Sequence, residues 1–283
     1  MKFSSLFLII VSLCLATRIA AAPSFLKDRA NFKTTLIHVG PSPQEYQDEF
    51  PPDGVKQIDY ESGGRSLKAW LRLGSADAVH KHPVLVYFHG GFAFGASDLE
   101  DCRKFIDAGF IVFTPTLRGE NGNPGVFEMC LGEVDDARAS IQWIAKQDFV
   151  DKDHIYAFGH SAGGIVATLV SLLDDVPVQI TGSSGGLYGP RFFMSGKMAP
   201  FDKSIQDEFR FRSIVGNVSN LKHPHFAYAG QQDSWQEIDA VRKEASTTGR
   251  IHVEVLPGDH FSCLPACFEK FLKVVLDDIK KTK

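Results

Sequence analysis

The chain has 283 residues, with 30 Lys+Arg against 34 Asp+Glu and a formal net charge of −4. Hydrophobic residues make up 44% and charged residues 23%, a balance that allows a large buried core and excludes wholesale disorder. The mildly acidic charge, with no run of five Lys/Arg, excludes a polybasic nucleic-acid binder. With 25 Gly and 5 Cys, collagen-like and disulfide-framework chains are excluded too.

The first 22 residues differ from the rest. Lys2 precedes a mainly apolar run from Leu6 to Ala16, followed by Arg18 and the small residues Ala20, Ala21 and Ala22. One basic residue, a short apolar stretch and an A-x-A-like exit predict a secretory signal peptide over 1–22, too short for a spanning helix. Its removal leaves 28 basic against 34 acidic residues, a charge of −6, and predicts a secreted, periplasmic or lumenal protein that does not stay on the membrane. Outside the leader, Cys102, Cys130, Cys263 and Cys267 remain. In an oxidising compartment they can pair in three ways or stay as buried thiols. His260, Cys263 and Cys267 lack a second ligand pair at zinc-finger spacing. Asn217-Val218-Ser219 is a glycosylation sequon.

Residues 23–54 hold Pro41, Pro43, Pro51 and Pro52, which predict an irregular N-terminal extension wrapping the surface. The domain proper is predicted over 55–283. Val55–Tyr60 and Leu67–Leu73 alternate around Ser62-Gly63-Gly64 and predict a hairpin. Pro83–Phe88 is apolar throughout, as suits a strand covered on both faces. Phe110–Thr114, Ile155–Phe158, Ile180–Ser183, Phe226–Ala229 and Ile251–Val255 are weaker strands of the same kind. Val134, Ala137, Ile141 and Ile144 mark one helix face. Ala162–Leu173 is apolar nearly all round and predicts a buried helix. Residues 234–248 and 264–280 predict surface helices. The whole reads as an α/β fold: a mostly parallel sheet of about eight strands with helices on both faces. Arg191–Asn220 fits no strand and is read as an irregular insert, placed where a short lid over a site would lie.

Gly159-His160-Ser161-Ala162-Gly163 follows one predicted strand and precedes the buried helix. This is G-x-S-x-G in its strand–turn–helix setting, where a sharp turn lifts the serine hydroxyl above the sheet. A serine needs a base. His223 and His225 stand at the wrong end of their strand, and His252 alternates within one. His260 follows the last strand, in the loop region where such sheets gather their sites. Asp233, leaving the preceding strand in Gly230-Gln231-Gln232-Asp233, is placed to orient that imidazole. Asp259 adjoins His260 but points elsewhere, and Asp239 falls within a helix. An oxyanion hole needs two backbone N–H groups: one from Ala162, the other from Gly91 or Phe92 in the loop His89–Gly95. Phe92 and Phe94 line a pocket or pack in the core.

On these residues the chain resembles an α/β-hydrolase, and most closely the catalytic domain of the prolyl oligopeptidase family. The matching pieces, in family order over about 55–280, are His89-Gly90-Gly91, Arg118-Gly119, Gly159 to Gly164, Gly230 to Asp233 and Asp259-His260-Phe261. The resemblance implies a Ser161–His260–Asp233 triad and peptidase action on short peptides. Family peptidases usually carry a β-propeller, for which 283 residues leave no room. Phe92 also stands where the family often has Pro, and the His-Gly-Gly-Phe form is similar to that of carboxylesterases and lipases. The expected function is thus a secreted serine hydrolase acting on a small peptide or ester through an acyl-enzyme, with no metal or organic cofactor and no nucleic-acid partner. A carboxylesterase or lipase is the alternative within that chemistry, and a non-catalytic binding protein on the same fold is the alternative outside it.

Overall fold

The computed structural model describes residues 25–74, 80–233 and 237–282. The predicted leader therefore lies outside the described residues. Among them, no helix is long and apolar enough to cross a membrane.

Eight strands form one sheet: β1 (Val55–Ser62), β2 (Arg65–Arg72), β3 (His82–Phe88), β4 (Ile111–Pro115), β5 (Val150–His160), β6 (Ile180–Ser184), β7 (His225–Gly230) and β8 (Ile251–Leu256). Their order is β1-β2-β4-β3-β5-β6-β7-β8. The β1–β2 and β2–β4 pairs are antiparallel and all others parallel, so the sheet is an α/β-hydrolase sheet as the sequence predicts. Alternation within β3 and β5 explains the two-sided core. Val84, Val86, Ile155 and Ala157 pack on one face, while Leu85, Tyr87, Tyr156 and Phe158 pack on the other. A parallel strand covered on both faces buries both sets, which is why its sequence reads as unbroken apolar residues.

The helices are α1 (Phe25–Asn31), α2 (Ala96–Asp101), α3 (Arg103–Asp107), α4 (Gly132–Ile144), α5 (Ser161–Val170), α6 (Arg191–Ser195), α7 (Gln206–Arg210), α8 (Ile238–Ala245) and α9 (Leu264–Thr282). α4 and α5 cover the first face; α9, with Phe268 and Phe271 buried, covers the second. Fully burying each such aromatic contributes about 1.5–3 kcal/mol. Val134, Ala137, Ile141 and Ile144 all lie buried along α4.

Two segments are more structured than the sequence suggests. The N-terminal extension opens with α1, whose Phe25 is buried against Phe211 at 5.7 Å. Leu36 then bridges Phe201. The insert 191–220 holds two short helices and a 3-10 turn, Val218–Asn220, and buries Phe193, Phe201, Phe211, Ile214 and Val218. A fully buried pair, Arg212 with Glu208 at 2.5 Å, ties the two segments together. Glu208 accepts from Thr34 Oγ1 at 2.9 Å and Thr35 N at 2.6 Å.

Cys102, Cys130, Cys263 and Cys267 are free and buried, so none of the three pairings is formed. The Asn217 sequon is unfit for a glycan. Its side chain is buried, and Nδ2 donates to Arg210 O at 2.8 Å and Ser213 O at 2.9 Å.

Candidate active site

β5 ends on His160 and α5 begins on Ser161, with no residue between them. Ser161 has φ +54°, a left-handed conformation that a non-glycine residue adopts only under tertiary constraint. Gly163 makes that turn possible. A Cβ there would lie 2.1 Å from Phe88 O and 2.4 Å from His89 O. The elbow therefore sits directly on the end of β3, and Gly163 N donates to His89 O at 3.0 Å. This contact sets Ala162, whose N–H belongs to the unpaired first turn of α5, beside the loop that follows β3.

That loop is held from several sides. His89 is buried, with Nδ1 3.0 Å from Gly90 O and Nε2 3.2 Å from Glu120 Oε2. Burial pushes its pKa down, but the charge and hydrogen bond of Glu120 outweigh this and raise it to about 9. A charged pair therefore underlies the loop. Asn121 clamps Phe94 through N and O, both at 2.8 Å. Gly91, at φ +70°, makes the reversal that only glycine adopts without strain. The Phe92 N–H then donates to Gln44 Oε1 at 2.8 Å. The Phe92 ring packs edge-on against Phe127 at 4.8 Å and also lines the site. Phe94 packs in the core, edge-on to Trp70 at 4.9 Å.

The loops after β7 and β8 bring up Asp233 and His260. His260 Nε2 stands 2.9 Å from Ser161 Oγ, and His260 Nδ1 is hydrogen-bonded to Asp233 Oδ2. A carboxylate can only accept, so Nδ1 carries the proton and Nε2 is free to accept from the serine hydroxyl. The Asp233 side chain is 2% exposed and that of His260 24%: the carboxylate is sealed in, while the imidazole faces the cavity. His160 supports this from below. Its Nε2–H donates to His260 O at 3.0 Å, and the two rings lie 5.0 Å apart. Burial lowers the His160 pKa to about 4, so it is a neutral donor.

The remaining polar candidates stand elsewhere. Asp259 Oδ1 folds back on its own loop, accepting from Phe261 N, Ser262 N and Ser262 Oγ at 2.7–3.0 Å. His252 is exposed and stacked on Phe226 at 4.6 Å. His223 donates to Leu173 O at 2.8 Å. His225 is buried against Thr181 and Ser183, each at 2.8 Å. Asp239 pairs with Arg242 on the surface.

Ser161 and His260 open onto a cavity of about 590 Å³ whose walls include Phe92, Leu187, Phe192 and Met198. Its size suits a small organic ligand. Phe192 and Met198 come from the 191–220 insert, and Pro43 and Gln44 from the N-terminal extension. Gln44, His160, Leu187 and Met198 escape sequence reasoning. Nothing in the irregular stretches that hold Gln44 and Met198, or in the motif around His160, marks which side chain will reach a site assembled from distant parts of the chain.

The profile of the X-Pro dipeptidyl-peptidase (S15) family matches residues 42–181, a span that includes His89 to Phe92 and Ser161 but stops before Asp233 and His260. The uncharacterized peptidase YtmA of Bacillus subtilis is 25% identical over 187 residues, covering 62% of this chain and 72% of that protein. Among solved structures, Pyrococcus horikoshii acylaminoacyl peptidase superposes with a TM-score of 0.63 at 17% identity. The match covers 80% of this chain, and the chain spans only 40% of that peptidase. A Pyrococcus furiosus esterase superposes at 0.64 with 15% identity, covering 87% of this chain and 98% of the esterase. With the eight-stranded sheet and its strand order, these likenesses give the chain the α/β-hydrolase fold, shared with that acylaminoacyl peptidase and that esterase.

Proposed function

We propose that the protein is a serine hydrolase working through an acyl-enzyme. The observation that carries this reading is the series of contacts from Ser161 Oγ to His260 Nε2 at 2.9 Å, and from His260 Nδ1 to Asp233. In the first step Ser161 Oγ bonds to the substrate carbonyl carbon and its proton passes to His260 Nε2. Asp233 stabilises the imidazolium formed. In this reading the carbonyl oxygen gains the negative charge, and the Ala162 and Phe92 N–H groups receive it. His260 then gives its proton to the leaving amine or alcohol as the carbonyl bond to it breaks. Water repeats the cycle to release the acid.

The family profile over 42–181 and the likeness to peptidase catalytic domains favour a small peptide as substrate. Near-complete coverage of an esterase, together with the apolar cavity wall, favours the second reading, a small carboxylic ester. Comparing kcat/KM for short acyl esters and matched peptide amides decides between them. Amide turnover within about a hundredfold of the ester supports the peptidase, and amide rates at background leave the esterase. We read residues 1–22 as an export leader, and N-terminal sequencing of exported protein tests this: a start beyond residue 20 supports it, and retained Met1 contradicts it.

A further inference from the structure

The Phe92 N–H assigned above to the oxyanion hole is already taken. Its partner at 2.8 Å is the carboxamide oxygen of Gln44, a neutral sp² oxygen of the same kind as a scissile carbonyl. Gln44 lines the same cavity as Ser161, Ala162 and His260. It lies on the open side of Gly91, where a Cβ would stand 2.7 Å from Gln44 Oε1. The backbone leading to it is firmly tied. Ser42 Oγ donates to Phe92 O at 2.5 Å, Ser42 N to Gly119 O at 2.9 Å, and Phe127 N to Gly40 O at 2.9 Å. Gln44 itself is exposed, so its side chain can swing away without moving these anchors.

Resting on the serine-hydrolase reading, we propose that Gln44 is a built-in occupant of the oxyanion hole. Residues 40–44 form a strap whose glutamine holds the N–H that a reacting carbonyl needs, and substrate displaces it to react. The competition is graded by charge. A neutral substrate carbonyl and the neutral carboxamide compete on nearly equal terms, whereas hydrogen bonds to a charged acceptor are about twice as strong. The developing oxyanion therefore wins. The strap raises the barrier from free enzyme to transition state by about the net worth of one neutral hydrogen bond.

Replacing Gln44 by Ala removes the occupant and leaves the Ser42 and Gly40 anchors in place. The expected result is a rise of about fivefold in kcat/KM on a short acyl ester, which is about 1 kcal/mol at 1.4 kcal/mol per tenfold. Labelling of Ser161 by a fluorophosphonate, whose P=O oxygen uses the same N–H groups, accelerates in parallel. Gln44→Glu keeps the length and supplies a stronger, charged acceptor, so its kcat/KM at pH 7.5 falls several-fold below wild type. If Gln44→Ala does not fold, Gln44→Glu decides alone. Unchanged or lower rates in Gln44→Ala, or wild-type rates in Gln44→Glu, overturn the strap while labelling of wild-type Ser161 preserves the hydrolase. Failure of folded wild type and both variants to label overturns the hydrolase reading and the strap with it.

Discussion

Gly163→Ala probes the contact on which the site's geometry rests. A Cβ at this position would lie 2.1 Å from Phe88 O and 2.4 Å from His89 O, both backbone atoms at the end of β3. Neither can rotate aside as a side-chain tip could. To reach an ordinary contact, the start of α5 has to withdraw from β3 by about 1 Å, and the Gly163 N to His89 O bond of 3.0 Å lengthens with it. That movement carries Ser161 and the Ala162 N–H away from the Phe92 N–H. A displacement of about 1 Å at a reacting centre costs about 10²-fold in rate, and overpacking costs roughly 1–3 kcal/mol in stability. The variant is expected to retain a cooperative thermal transition, lowered by several degrees, and to lose about two orders of magnitude in kcat/KM on a short acyl ester. A variant with wild-type melting and kcat/KM within twofold of wild type refutes the reasoning.

Further outcomes follow from the same contacts. Asp233→Asn keeps the shape at His260 Nδ1 but favours the wrong imidazole tautomer, so kcat/KM falls by roughly 10³–10⁴; ester kinetics with circular dichroism as the folding control measure this. Asp136 is fully buried and accepts from Arg118 Nε at 2.7 Å, Arg118 Nη2 at 2.8 Å, Arg118 N at 3.0 Å and Ser62 Oγ at 2.5 Å. Asp136→Ala removes both guanidinium bonds to Asp136, leaving Arg118 with Glu128 at 3.2 Å and the charge of Glu133, and costs about 3–5 kcal/mol in urea unfolding, most of it recovered when Arg118 is also replaced by Met. Burial lowers His160 to about 4 and His225 to about 3, so between these values and 6.5 the unfolded chain binds more protons. Each histidine's contribution to stability therefore falls as pH drops below 6.5, by up to about 1.4 kcal/mol per pH unit, against the opposite trend of Glu133 and Asp101, which burial raises to about 7 and about 6. Urea midpoints at pH 6.5 and 4.5 for wild type and His225→Gln isolate the histidine's share: the drop is smaller in the variant.

The central sheet was largely legible because its strands are buried on both faces. Pro83–Phe88 carries no polar residue to interrupt the pattern, and the hairpin announces itself through Gly63 and Gly64. β5 was harder: it begins at Val150, five residues before the apolar run at Ile155. Its polar start, Asp151 to Asp153, pairs only loosely with β3, where the register shifts between His82 and Val84. α2, α3, α6 and α7 have five or six residues each, too few for a helical period to show. The buried pair Glu208 and Arg212 looks in sequence like an ordinary solvated i, i+4 pair, and only packing against Phe201 and the N-terminal extension reveals its place. At the candidate site, Ser161, His260 and Asp233 were readable as candidates because each stands just beyond the carboxyl end of a strand. Gln44 was not, since its position depends on Ser42 meeting Phe92 and Gly119 across more than 40 residues of chain.

If Ser161 is the nucleophile, the substrate's acyl group passes through its Oγ as a covalent ester. Mass spectrometry of protein quenched in acid during turnover of a slow ester tests it most directly. A mass increase equal to the acyl group is expected on the peptide containing Gly159 to Gly164, absent in Ser161→Ala and strongly diminished in His260→Ala. Turnover by wild type with no acylated peptide, or acylation that persists in Ser161→Ala, would contradict it.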